Sequence, residues 1–193
     1  MRKNVFLKNK KAFSLIEMLL VIGVLAVLLV AALVVYPRVR DAMRVNLEVK
    51  NLNMVKANVM TIYQTTGGNY NGVSTITINR ARGFPETMNG GDFTVGSNNI
   101  KSSWGGNVEV VASEAITIPL TLDANRSFKI TYQNVPQSLC LDFVVGSSLS
   151  FSKITVEGTD VIKRTASGVE FDPNETVVQC SSRQESVVAF YSL

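Results

Sequence analysis

The residue with the clearest chemical potential is Glu17, the only ionisable group in an apolar run from Phe13 to Tyr36. As a helix rising about 1.5 Å per residue, this run is long enough to cross a hydrocarbon core of about 30 Å. A carboxylate inside a membrane span is costly unless it is paired, so such a residue is functional by default. The sequence therefore predicts a transmembrane helix in which Glu17 has an electrostatic role.

Residue types that usually carry catalysis are scarce in this chain. It has no histidine, the commonest general base and metal ligand. No glycine-rich phosphate loop precedes a helix, and no serine or cysteine has a candidate base. The carboxylates are scattered rather than placed at calcium-loop spacing. We therefore predict no enzyme activity, no cofactor and no metal site.

The two cysteines, Cys140 and Cys180, both follow the apolar run. An even cysteine count in an exported domain favours one disulfide. In a chain-entropy treatment, a loop of this length stabilises the fold by roughly 4 kcal/mol. Two unpaired, buried thiols are the alternative.

The net charge of +4 originates at the start of the chain. Five of the 19 basic residues lie in the first twelve positions, without an acidic residue among them. Removing those five leaves 14 basic against 15 acidic residues. The basic character therefore belongs to the leader, and a basic surface for nucleic acid is not supported.

Two simpler explanations of the N-terminal segment are a cleaved secretory signal and an ordinary membrane anchor. A secretory core is usually 7–15 residues long and ends at small residues, whereas this run is longer and ends at Tyr36-Pro37-Arg38. A plain single-pass anchor accounts for the length and the basic leader. It does not account for Glu17.

Residues 10–17, Lys-Lys-Ala-Phe-Ser-Leu-Ile-Glu, resemble the processing motif of type IV prepilins and type II secretion pseudopilins. The resemblance implies that prepilin peptidase cuts between Ala12 and Phe13 and methylates the new Phe13 amine. It also implies that Glu17 of one subunit pairs with the Phe13 amine of a neighbour in a filament. Pairing of Glu17 with its own N-terminus is the alternative. The family usually has Gly before the cut, where this chain has the similarly small Ala12.

Orientation in the membrane follows from charge and from this motif. The leader holds five basic residues, and four more, Arg38, Arg40, Arg44 and Lys50, follow the span, so the charge bias alone is narrow. The processing motif implies a cytoplasmic leader. We therefore expect a single-pass inner-membrane protein with its C-terminal domain outside, which later becomes part of an extracellular filament.

Beyond the membrane the helix is predicted to continue through residues 37–66 and to end at Gly67-Gly68. Within the helix, Gly23 and Pro37 are candidate sites of kinking or local melting. Apolar residues at three- and four-residue spacing predict a stripe that packs on a sheet. They are Ala42, Val45, Val49, Leu52, Val55, Val59 and Ile62.

The rest of the chain, residues 67–193, reads as a head domain rich in short strands. We predict an exposed loop region over 67–106 with one strand at 73–78, then strands at 108–111, 115–122, 127–132, 151–156 and 186–191, and a turn at 157–160. A helix carrying Cys140 is predicted to open with Asn134 as its cap and Pro136 in its first turn.

The sequence Trp104-Gly105-Gly106 before the strand at 108 permits a tight turn. It resembles an element of type IVb and plasmid-encoded thin-pilus pilins, in which a disulfide such as Cys140–Cys180 encloses the C-terminal region. The twelve-residue leader and Phe13 as the first mature residue are more similar to type IVa pilins, which remain the alternative subclass. The predicted architecture is an α+β pilin fold, a long N-terminal helix packed on a mostly antiparallel sheet.

These patterns and the resemblance together imply four segments: a cleaved leader at 1–12, a membrane and filament-core helix at 13–36, its amphipathic continuation at 37–66, and the head at 67–193. The resemblance implies the major subunit of a type IV pilus used for adhesion, aggregation or conjugative cell contact. Implied partners are identical subunits, prepilin peptidase, the inner-membrane assembly machinery, and a host or recipient cell surface. A minor pilin, a secretion pseudopilin and an uncut, membrane-anchored periplasmic binding module remain alternatives.

Overall fold

The structure is a computed structural model that describes residues 14–93, 99–114, 116–118, 120–122, 124–165 and 168–192. The chain divides into two compact units, with the boundary between Arg40 and Asp41. Helix α1, Leu15–Ile62, contributes residues 15–40 to the first unit and residues 41–62 to the second.

The described part of the first unit is helical from Leu15 onward, and every side chain in it is exposed. The segment is long and apolar enough to cross a membrane, which confirms the predicted helix. The helix continues without a break through Gly23 and Pro37. Bending or melting at these two residues stays a prediction.

In the second unit α1 buries the predicted stripe. Val45, Leu52, Val55 and Val59 are buried, Val49 and Ile62 are partly buried, and Ala42 is exposed. The same face also buries Glu48 and Asn51, which the apolar pattern did not predict. After α1 a 3-10 turn, Gln64–Thr66, ends at Gly67 in the left-handed region, as expected for a glycine at a helix end.

The prediction of an exposed loop region over residues 67–106 is wrong. This stretch forms helices α2, Thr75–Arg80, and α3, Glu86–Asn89. The strand predicted at 73–78 is instead the start of α2, because the Ser74 side chain caps the helix by accepting from the N–H of Thr77. The stretch also contributes apolar side chains to the core, namely Tyr70, Val73, Ile78, Phe84, Met88 and Ile100.

The head contains a six-stranded antiparallel sheet in the order β1-β4-β8-β5-β6-β7 and a two-stranded hairpin, β2-β3. Its strands are β1 Val108–Ala112, β4 Phe128–Pro136, β5 Lys153–Val156, β6 Thr159–Thr165, β7 Gly168–Phe171 and β8 Glu185–Ser192, and the hairpin is β2 Ile116–Ile118 with β3 Leu120–Leu122. The strands predicted near 108, 127, 151 and 186 are confirmed. The single strand predicted at 115–122 is two strands, with Ala115 and Pro119 outside the described residues.

A cross-strand row of side chains forms the centre of the core on one face of this sheet. We call it the apolar row; its members are Val110, Ile130, Phe190, Ile154, Ile162 and Phe171, in the order in which the strands pair. The first five are buried together with the stripe of α1. The sixth, Phe171, is 38% exposed at the end of the row.

Two further helices, α4 Gln137–Ser147 and α5 Pro173–Ser181, are joined by the predicted Cys140–Cys180 disulfide, with Cα atoms 5.7 Å apart. Two details of the predicted α4 start are wrong. Asn134 is not a cap but lies in β4 with a φ of 54°, where the strand register shifts. Pro136 precedes the first turn of α4 as its cap residue.

Candidate functional site

The first turn of α1 carries the predicted assembly residue. The carbonyl of Ser14 accepts hydrogen bonds from the N–H groups of Glu17 (3.0 Å) and Met18 (3.2 Å). A carboxylate in the first turn of a helix interacts favourably with the helix dipole. The cleavage and methylation residues, Ala12 and Phe13, lie outside the described residues, so their roles stay predictions.

The Glu17 side chain is exposed, and no described residue pairs with its carboxylate. Its neighbours on the helix, Ile16 and Met18, are apolar and exposed. The geometry therefore offers one negative charge at the start of an apolar helix, open to a cation from elsewhere. Whether that cation is the Phe13 amine of a neighbour remains a prediction.

The apolar side chains of this helix segment have no cover within the described chain. Leu15, Ile22, Leu29 and Val35 are all more than half exposed, and so are most of the large apolar residues between them. A contiguous apolar surface of this extent marks a membrane or protein interaction site. The arrangement fits a helix whose surroundings are lipid or other apolar helices.

A second polar group, Glu48, connects α1 to the head. Glu48 is 1% exposed, and its Oε1 accepts a 2.7 Å hydrogen bond from the backbone N–H of Ser103. Burial raises the pKa of Glu48, and the hydrogen bond from Ser103 opposes that shift. Glu48 was not predicted, although an acidic residue three after Val45 and four before Leu52, on the apolar face of α1, was a signal that could have found it.

The phenol of Tyr132 lies beside Glu48 in the core. Burial, followed by the nearby charge of Glu48, raises the pKa of Tyr132 well above its ordinary value. Neither the Tyr132 hydroxyl nor Glu48 Oε2 has a hydrogen-bond partner of normal geometry among the described residues. Burying these polar atoms without partners is energetically costly. The cluster lies where α1 meets β4 and the turn at Ser103.

The turn that Glu48 holds is the predicted Trp104-Gly105-Gly106 element. Gly105 has a φ of 88°, which favours glycine. A Cβ on Gly106 would lie 1.8 Å from the carbonyl oxygen of Gln133, so only glycine fits there. The glycines therefore allow the chain to turn directly against β4.

Trp104 places this turn on the aromatic part of the core. Its ring lies 5.9 Å from Tyr132 and 5.2 Å from Phe143, measured between centroids. Phe143 of α4 in turn lies 5.0 Å from Tyr132 and 5.1 Å from Phe190 of β8, in edge-to-face geometry. Helices α1 and α4, the turn and the sheet thus meet at one cluster. Among the described ranges, no group of three metal-ligating side chains converges.

Comparisons with known families match two parts of the chain. Residues 42–193 match the family described as PilS N terminal, and residues 7–33 match the prokaryotic N-terminal methylation motif. The second match covers residues 7–12 of the leader and extends past Glu17. No curated protein matches the chain at a significant level.

Solved structures with the same fold include two pilins. The type IV b pilin from Salmonella typhi is 22% identical, with a TM-score of 0.52, over 75% of this chain and 97% of that one. TcpA, a type IV pilin from Vibrio cholerae El Tor biotype, is 19% identical, with a TM-score of 0.51, over 78% of this chain and 99% of that one. At these identities the likeness establishes the fold.

Proposed function

We propose that this chain, which belongs to the PilS N-terminal family, is a type IV pilin of the IVb type with a filament-forming role. Its role is that of the major structural subunit of a type IV pilus. Prepilin peptidase removes residues 1–12 and methylates the amine of Phe13. The inner-membrane assembly machinery then adds the mature chain to an extracellular filament of identical subunits.

The observation that carries this proposal is the uncovered apolar surface of α1 over residues 15–40. Burial of apolar surface is the dominant favourable term in association, and it is not satisfied in the single chain. The segment is a single-pass inner-membrane anchor before assembly and lies in the extracellular pilus afterwards. Lipid therefore covers the helix first, and the corresponding helices of neighbouring subunits cover it later.

Glu17 sets the axial position of each added subunit. In an apolar filament core its carboxylate needs a cation, and the Phe13 amine released by cleavage is the candidate at the same end of the helix. A subunit placed one turn too high or too low leaves two charges buried without partners. The correct register is thus favoured over neighbouring ones.

The test removes the negative charge of Glu17 and leaves the apolar helix around it intact. The Glu17→Val variant should insert and be cleaved normally, yet yield no surface filaments in electron microscopy of sheared cell material. Glu109→Val, the same substitution at an exposed acidic residue of the head, should leave the filaments unchanged. Normal piliation by Glu17→Val would exclude the pairing.

Cleavage of the leader and the abundance of this chain in filaments are measured in a separate experiment. Mass spectrometry of sheared filaments should find this chain as the dominant subunit, beginning at an N-methylated Phe13. The Ala12→Gly variant should be processed equally well, since both residues are small. A low-abundance chain would indicate a minor pilin or a pseudopilin. A mature chain that still begins at Met1 would exclude pilin processing and favour an uncut anchor.

We further propose that the filament mediates contact between cells. The exposed head surface is what a filament of this kind presents to a host or recipient cell. Aggregation, adhesion and mating frequency should all be compared between the wild type and the filament-free Glu17→Val strain. If all three are unchanged, the filament has another use.

A further inference from the structure

The two edges of the six-stranded sheet differ. At the β1 edge, the backbone N–H of Val110 donates to Oγ1 of Thr75 at 2.9 Å, and Ser74 forms an isolated bridge with Val111. The start of α2 therefore occupies this edge. Such covering is a common protection against the addition of foreign strands.

The β7 edge has no such cover among the described residues. All four residues of β7, Gly168–Phe171, are exposed, and β7 pairs on one side only, with β6. A shallow concavity lies at the start of the strand, lined by Thr165 of β6 and by Gly168, Val169 and Glu170 of β7. The strand thus borders a space that an extended peptide could enter.

The register shows which backbone groups of β7 face outward. The N–H of Asp172 donates to the carbonyl of Val161, so these two residues form a hydrogen-bonded pair at the end of the ladder. Hydrogen-bonded and non-hydrogen-bonded pairs alternate in antiparallel strands. Glu170 therefore directs its backbone groups to β6. Val169 and Phe171 direct theirs away from the sheet.

The side chains of Val169 and Phe171 lie at the margin of the core and are only partly covered. Phe171 ends the apolar row, and Val169 lies on the same face, two residues away. Phe171 is 38% exposed and Val169 is 43% exposed, whereas Ile162, the preceding member of the row, is 1% exposed. One more strand with apolar side chains on this face would continue the row and cover both residues.

Self-pairing of β7 with a second copy is disfavoured by Glu170. In the antiparallel register that pairs residues 169–171 of the two copies, Val169 would lie opposite Phe171, and Glu170 would face its own counterpart. That central pair would be of the closely spaced, non-hydrogen-bonded kind, where like charges are destabilising. A basic residue at the same position would be favourable.

We propose that the β7 edge is a docking site for an extended segment of a partner protein, in which a basic residue is flanked by two apolar residues. The segment adds to the sheet as an antiparallel seventh strand. Its backbone pairs with the outward groups of Val169 and Phe171, its apolar side chains extend the apolar row, and its basic side chain lies opposite Glu170. This recognition uses main-chain hydrogen bonds for affinity and alternate side chains for specificity.

The test uses the full-length chain in detergent and the fluorescein-labelled peptide acetyl-Thr-Val-Lys-Val-Thr-amide. Fluorescence anisotropy should show saturable binding in the micromolar to millimolar range, and hydrogen exchange should slow at the amides of Val169 and Phe171. A peptide with Glu in place of Lys should bind more weakly. No saturable binding, or binding without protection of these amides, would overturn the proposal.

Two variants test the main-chain hydrogen bonds and the charge pairing separately. Val169→Pro removes an outward N–H that β6 does not use, so the ladder should survive while peptide binding weakens about two- to tenfold. Val145→Thr, at an exposed valine of α4 outside this edge, should bind like the wild type. Glu170→Lys should reverse the preference between the Lys and Glu peptides. Equal binding by the wild type, Val169→Pro and Glu170→Lys would contradict docking at this edge.

Discussion

Glu48 of α1 accepts a 2.7 Å hydrogen bond from the backbone N–H of Ser103, 55 residues further along the chain. The bond fixes the start of the Trp104-Gly105-Gly106 turn to the helix that also forms the membrane segment. Because Glu48 is buried beside Tyr132, the connection depends on the protonation state of one carboxyl group.

This connection makes the stability of the head depend on pH in a defined direction. Burial raises the pKa of Glu48 above its ordinary value of 4.5, so folding favours the protonated form. Its stabilising contribution is complete below the unfolded-state pKa and is lost as the pH rises through the higher folded-state pKa. Glu48→Gln removes this titration and keeps an acceptor for Ser103. Relative to the wild type, the variant should therefore gain stability from acidic to neutral pH in urea unfolding experiments.

The matched variant Glu48→Ala separates charge from hydrogen bonding. It leaves the N–H of Ser103 without its buried acceptor and should cost about 1–3 kcal/mol at either pH. If Glu48→Gln and Glu48→Ala were equally destabilised at neutral pH, the hydrogen bond to Ser103 would have no energetic role. If the stability difference between Glu48→Gln and the wild type were independent of pH, the raised pKa of Glu48 would be contradicted.

Gly106 should be far less tolerant of substitution than its neighbour. Gly106→Ala places a Cβ 1.8 Å from the carbonyl oxygen of Gln133, so the turn or β4 must move. We expect a loss on the order of 3 kcal/mol or more in the free energy of unfolding. Gly105→Ala meets no atom within 4 Å and carries only the strain of a φ of 88°, about 1–2 kcal/mol. Equal losses in denaturant melts of the two variants would refute the close approach at Gly106.

The parts of the fold that the sequence predicts are those specified by a regular spacing of apolar residues or by a local conformational requirement. Val45, Leu52, Val55 and Val59 recur at helical spacing, and all four are buried. The Gly67 helix end followed from a local conformational requirement that only a few residues meet. These features are encoded within one or two turns of chain, so a single sequence suffices to find them.

The missed features depend on specific contacts that residue propensities do not describe. Thr75 belongs to a short helix because Ser74 caps it, and its hydroxyl contacts β1, 35 residues later. Residues 73–78 are rich in Val, Thr and Ile, which propensity alone assigns to a strand. Asn134 has a positive φ at a register shift between paired strands. A local cap together with the contact to β1 decides the first outcome, and strand pairing decides the second, so propensity alone predicts neither.

The aromatic cluster should respond strongly to the loss of its central ring. Phe143 is fully buried and lies within about 5 Å of Trp104, Tyr132 and Phe190. Phe143→Ala should reduce the free energy of unfolding by about 3–5 kcal/mol, through lost burial and the cavity left behind. Leu149→Ala removes an apolar side chain that is 81% exposed and should change it by less than about 0.5 kcal/mol. Similar values in urea unfolding would show that the cluster does not hold α4 on the sheet.

The disulfide between Cys140 and Cys180 should supply a large share of the head's stability. It closes a sequence separation of 40 residues, and both cysteines are buried. Restriction of the unfolded chain predicts a contribution of roughly 4 kcal/mol. The double variant Cys140→Ala, Cys180→Ala should therefore unfold at a markedly lower denaturant concentration than the oxidised wild type. Reductant should lower the midpoint of the wild type towards that of the double variant and leave the double variant unchanged. An identical midpoint for the wild type with and without reductant, at full reduction of the thiols, would show that packing of α4 and α5 alone holds this region.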